Sequence, residues 1–163
     1  MKTYSYILFF LLIFSCKEDN KSNYLINNPQ QTFQIVEEKF SNETLFKDIN
    51  VFYDQNQYAL QAMVYEKGKL EEYRWQNNWW TLYASVDFSI DGKADLRDFL
   101  FSIDSNFKRQ FSQKIDSLRR ANAHKKFRIL SWEITSPDHV SQGKRIIYKI
   151  TYQVDDLEFT IME

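Results

Sequence analysis

The 163-residue chain is poor in the residues that cross-link or interrupt a fold: it has one cysteine, two prolines and three glycines. A single cysteine excludes an internal disulfide, so an exported form leaves that thiol free or uses it otherwise. The three glycines, Gly68, Gly92 and Gly143, are too scattered to form a phosphate-cradling loop. His124 and His139 are the two histidines, and neither has a metal-ligating neighbour at the usual spacing, even counting Asp138. Asp54, Asn56 and Gln57 lack the glycine and terminal glutamate of a calcium loop. Charge of one sign is missing too, since 21 basic against 22 acidic residues leave a net of -1, which offers nucleic acid no attraction. The acidic pairs Glu37-Glu38, Glu71-Glu72 and Asp155-Asp156 are adjacent residues, and neighbours on a strand point to opposite faces. They do not form the facing carboxylates of an acid–base site. The expectation is a protein that is not an enzyme, with no catalytic residue, no metal and no cofactor.

What is present begins at the amino end. Met1-Lys2 is a short positive region, and Tyr6 to Phe14 is an apolar run of nine residues. A membrane-crossing helix needs roughly 20 apolar residues, and Ser15, Cys16 and then Lys17-Glu18-Asp19 end this run first. Ile13-Phe14-Ser15-Cys16 resembles the lipobox of bacterial lipoproteins, apart from the bulk of Phe14. That resemblance implies cleavage before Cys16, a diacylglyceryl thioether on it and an amide-linked acyl chain such as palmitate. Several chains anchor stably, where one binds only marginally. Lys17-Glu18-Asp19 resembles the export signal of surface lipoproteins in the Bacteroidota, which implies the outer membrane and display at the cell surface. The alternative is a solvated tether at the periplasmic face. Residues 1–15 are thus expected as a signal peptide, 16–31 as lipidated Cys16 with a flexible polar tether, and 32–163 as the folded domain. Removing Lys2 with the signal takes the net charge to -2.

Along the domain, Phe33, Val36 and Phe40 recur at helical spacing behind Thr32, and Ser41 is placed to cap a further turn carrying Leu45 and Phe46. The period then falls to two. Strands are expected over 49–53, 58–65, 70–75 and 80–90, separated by Asp54-Gln55-Asn56, Glu66-Lys67-Gly68-Lys69 and Gln76-Asn77-Asn78, whose Asn and Gly tolerate positive φ. Leu96, Leu100, Ile103, Phe107, Phe111, Ile115 and Leu118 form one long helical stripe, which Asp104-Ser105-Asn106 is placed to interrupt. Strands follow over 127–135, 145–154 and 157–162.

This order predicts an α+β fold, with helical segments packed on an antiparallel meander and two tandem helix-plus-meander units, 32–91 and 92–163. On the meander, with Glu71-Glu72-Tyr73-Arg74-Trp75 and Trp79-Trp80, and on the helix-to-sheet order after it, the chain resembles the beta-lactamase-inhibitor-protein-like and PepSY-like folds. A single cystatin-like or nuclear-transport-factor-like sheet wrapped around the long helix is the other architecture. The aromatic residues, 17% of the chain, concentrate at Tyr73, Trp75, Trp79, Trp80 and Tyr83. Either alternate rings pack beneath the helix, or they form a platform for a glycan or a protein partner. Asp116-Ser117-Leu118 also resembles the short O-glycosylation motif of Bacteroidota export proteins, which requires Ser117 on an exposed helix face. The expected activity is protein binding or envelope maintenance, with glycan binding through the rings as the alternative.

Overall fold

The computed structural model describes residues 23–89, 95, 98–136 and 146–163. Three helices, α1 (Asn23–Asn27), α2 (Pro29–Lys39) and α3 (Ser105–Ala121), accompany seven strands. These are β1 (Leu45–Asp54), β2 (Gln57–Glu66), β3 (Lys69–Gln76), β4 (Trp79–Asp87), β5 (Phe127–Thr135), β6 (Ile147–Val154) and β7 (Leu157–Met162). All seven form one antiparallel sheet in the order β4-β3-β2-β1-β5-β6-β7.

This corrects the expected α+β architecture. Strands hold 49% of the described residues and helices 27%, so the fold is mainly antiparallel sheet. The two meanders are not tandem units. They are wings of one sheet, joined where Ile49 pairs with Ile134 and Val51 with Trp132. Element order along a sequence is silent on such a join, because the pairing residues lie far apart in the chain.

The hairpins follow from turn chemistry. Gln55-Asn56, Lys67-Gly68 and Asn77-Asn78 each place two consecutive residues at positive φ, between 45° and 85°. That is the primed turn whose twist matches the flanking strands, and Asn and Gly enter it at least cost. The period of two then sorts side chains. Ile49, Val51, Leu60, Ala62 and Val64 go to the face that carries the helices, as do Trp132, Ile134 and Ile150, and all are fully or almost fully buried.

Helical boundaries depart from the periodicity in three places. Residues 23–31, expected as tether, are largely helical and contribute Leu25 and Ile26 to the core, while Thr32 Oγ1 donates to the Leu25 carbonyl at 2.8 Å. Two apolar residues in a polar stretch show no period from which to read this. Asn28 caps α2 by accepting from the Gln31 amide, and Pro29 follows at the first turn. Leu45 and Phe46 open β1 instead of a helical turn. Leu96 of the long stripe lies outside the described residues, and among these the stripe is helical only from Ser105, since Asp104 caps α3 by accepting from the Phe107 amide at 2.6 Å. Leu100, Phe101 and Ile103 are buried without being helical, and Phe101 bridges Phe46 instead. An apolar spacing therefore continues across the cap at which the helix starts.

Rings fill the core. Phe33 of α2 lies 5.9 Å from both Phe107 and Phe111 of α3, and Phe111 lies 5.1 Å from Trp132, all within the range of favourable edge-to-face contacts. No helix among the described residues is long and apolar enough to cross a membrane.

Candidate functional site

The β3–β4 hairpin divides the expected aromatic cluster between two faces. Trp75 pairs with Trp80 across the strands and Tyr73 with Leu82, on the helix-bearing face. Trp75 is 8% exposed and meets Tyr24 edge-on at 6.2 Å. Phe40, the C-cap of α2, sits 5.3 Å from Tyr73 and 5.4 Å from Trp80. Tyr73, Trp75 and Trp80 thus belong to the core or its margin and form no platform. The Tyr73 hydroxyl donates to Glu71 at 2.7 Å, and chiefly that bond, then burial and nearby acidic charge, push its pKa up to about 12.

Trp79 and Tyr83 point the other way, onto the face that no described helix covers. They are 73% and 64% exposed. The register shift between Glu72 and Tyr73 leaves Tyr83 as the extra residue of a bulge, which turns its ring toward Arg74. The Arg74 guanidinium lies 4.7 Å from the Tyr83 ring and 5.3 Å from that of Phe52, and bonds Asp54 at 3.1 Å. Such stacking suits a planar, weakly hydrated cation. A single period-two step from Tyr73 and Trp75 assigns Arg74 to this open face, and that was the signal in the sequence for the part of the site the ring count missed.

Beyond Arg74 the open face sinks into a depression of about 360 Å³ lined by Asn50, Gln61, Ser131, Glu133 and Lys149 among others. Lys149 and Glu133 pair across β6 and β5 at 3.9 Å. Asp48, on the same face, has one carboxylate oxygen buried without a partner. Burial first, then the charges of Glu133 and Glu72, raise its pKa to about 6, against smaller opposing effects of Lys47 and Asn50.

At the outer border, β4 is an edge strand. Its residues from Trp79 to Val86 carry no charge, and Trp79, Leu82, Tyr83 and Val86 are all exposed large apolar side chains. The opposite edge, β7, exposes Leu157, Phe159 and Met162 but includes Glu158 and is followed by Glu163, which pairs with Lys114.

The remaining sequence candidates fall apart spatially or lie outside the described residues. Cys16, Lys17, Glu18 and Asp19 are in the latter group, as is His139. His124 is exposed just after α3, and no group of His, Cys, Asp or Glu suited to a metal occurs among the described residues. Ser117 is exposed on α3, with its hydroxyl donating to the Gln113 carbonyl. A larger depression of about 860 Å³ lies near Glu43, Asp98, Asp104 and Tyr148. Its lining residues Ser136 and Ile146 adjoin in sequence the segment 137–145, which is outside the described residues.

Neither a family model nor a curated protein matches the sequence. Among solved structures, the chain is similar to a "putative lipoprotein" from Clostridium difficile 630, with 12% identity, coverage of 80% of this chain and 81% of that one, and a TM-score of 0.42. Nothing about activity follows from a likeness at that level.

Proposed function

We propose that this chain is a lipid-anchored envelope protein, held through Cys16, that binds an extended segment of another polypeptide along the outer edge of β4, which no described strand pairs, and performs no catalysis. The single observation that carries the reading is the chemistry of that edge. An edge strand presents unpaired backbone donors and acceptors, and proteins that avoid pairing there place charges, proline or bulges on it. β4 has no proline and its one charge is the terminal Asp87, so from Trp79 to Val86 only the bulge at Tyr83 interrupts the edge. Side chains are exposed on both faces, Leu82 on one and Trp79, Tyr83 and Val86 on the other, so an added strand gains apolar contacts above and below its backbone bonds. The bulge at Tyr83 limits the flat, pairable length and favours one partner register over open-ended stacking.

Ser15-Cys16 and the apolar run before it support the anchor, and Lys17, Glu18 and Asp19 support display at the outer-membrane surface. The full chain carrying Cys16→Ala is expected to stay uncleaved and to take up no radiolabelled palmitate. For the edge, a photo-crosslinking amino acid placed at Leu82 or Ser85 in intact cells is expected to give one discrete adduct, and the same probe at Leu157 of β7 none. Equal adducts at the two edges, or none at β4, would contradict strand addition.

A further inference from the structure

We infer that the depression in the middle of the open face is a second binding site, separate from the β4 edge, and that it takes a neutral polyhydroxylated ligand: a sugar residue. Three features of its wall select that chemistry.

First, the charged side chains that line the depression are already matched. Arg74 bonds Asp54 at 3.1 Å, and Lys149 faces Glu133 at 3.9 Å. An anion or a cation entering here meets an opposite charge that has a partner and a like charge beside it, so the site does not favour an ionic ligand. Second, hydrogen-bonding capacity remains. Asn50 and Gln61 each present an amide that both donates and accepts, and Ser131 adds a hydroxyl that does the same. A ring of hydroxyls, each also donor and acceptor, satisfies such a mixture in more orientations than a group of one kind. Third, one wall is aromatic. The Phe52 ring lines the depression, and Tyr83 extends the aromatic surface across the Arg74 guanidinium toward the exposed Trp79. A sugar has an apolar C–H face for such rings and polar edges for the amides. The volume of about 360 Å³ lies at the small end of the range of ligand pockets, ~300–1,000 Å³, suited to one sugar unit rather than to a long chain.

The ligand is either a free sugar or the terminal unit of a chain, and both share the same contacts. The test uses the full chain in detergent, with saturation-transfer difference NMR and calorimetry against glucose, maltohexaose, cellohexaose and mannohexaose. Hexagalacturonate and a neutral Ser/Thr-rich decapeptide are the comparators. At least one neutral sugar is expected to receive saturation. A free sugar as good as its hexamer identifies the monosaccharide, and a hexamer alone identifies the chain end. Gln61→Ala is expected to weaken binding about ten-fold, the effect of about one hydrogen bond to a neutral partner. Arg74→Lys keeps the charge opposite Asp54 but removes the planar guanidinium stacked on Phe52 and Tyr83, and is expected to weaken binding at least as much. Circular dichroism of both variants should match the parent, and Thr160→Ala, on the same face at β7, should bind as the parent does. Saturation of no neutral sugar, saturation of only the acidic sugar or the peptide, or binding unchanged by both Gln61→Ala and Arg74→Lys would overturn the assignment.

Discussion

Trp75 and Trp79 lie four residues apart in one hairpin and meet opposite fates. Trp75 is packed against Tyr24 and Trp80, whereas Trp79 stands in solvent beyond Gln76. The same division holds for Tyr73, which contacts Phe40, and Tyr83, which stacks on Arg74. The difference teaches that aromatic density is not a functional signal until each ring has been assigned a face. On the inward side the rings pack with the aliphatic core of Ile49, Leu60, Ile134 and Ile150 in a chain that has no internal disulfide. On the outward side they are available to a partner.

Truncating rings on the two sides should break the comparison most sharply. Trp75→Ala and Phe111→Ala remove rings that are buried, and each is expected to cost about 3–5 kcal/mol in denaturant-induced unfolding. A next, smaller effect concerns the polar centre of the open face. Asp48 holds its proton up to about pH 6 when folded, against an ordinary value of 3.8, because burial disfavours its charge. The folded state therefore binds more protons than the unfolded one between those values, and the contribution of Asp48 to stability is full below pH 3.8 and lost as pH rises through about 6. Asp48→Asn should flatten that part of the stability profile and raise stability above pH 6 by up to about 3 kcal/mol, read as the difference between parent and variant at each pH. Smaller again is the turn that separates the two sides. Asn78 has φ of 64°, and Asn78→Ala is expected to cost about 1 kcal/mol whereas Asn78→Gly costs nothing or stabilises slightly. Smallest is the outward ring itself: Trp79→Ala should change stability by no more than about 0.5 kcal/mol, the usual range for an exposed position.

Local chemistry was the legible part of the fold. Asn and Gly placed the turns at 55–56, 67–68 and 77–78, and the alternation of Tyr148, Ile150, Tyr152 and Val154 marks the inward side of β6. The β1–β5 join was not legible, because Ile49 and Ile134 are ordinary buried residues whose partners lie some eighty positions away. The break in the helical stripe was legible at Asp104-Ser105-Asn106, where Asp104 caps α3, but not that the buried Leu100, Phe101 and Ile103 before it are not helical. The site divides likewise. Trp79 and Tyr83 were in view from the sequence, but Phe52, Arg74, Ser131 and Glu133 come from three strands brought together only by the sheet order. Of the two readings of the rings, Tyr73, Trp75 and Trp80 follow the inward one, with Phe40 at the end of α2 covering Tyr73 and Trp80.

The division of the hairpin is tested most directly by acrylamide quenching of tryptophan fluorescence in the parent and in Trp79→Phe. Trp79 is the most exposed indole, while Trp75 and Trp132 are buried and Trp80 is packed against the core. Replacing it should therefore abolish most of the quenchable emission and leave the rest blue-shifted. Quenching that is unchanged in Trp79→Phe, and lost instead in Trp75→Phe, would contradict the assignment of the two faces.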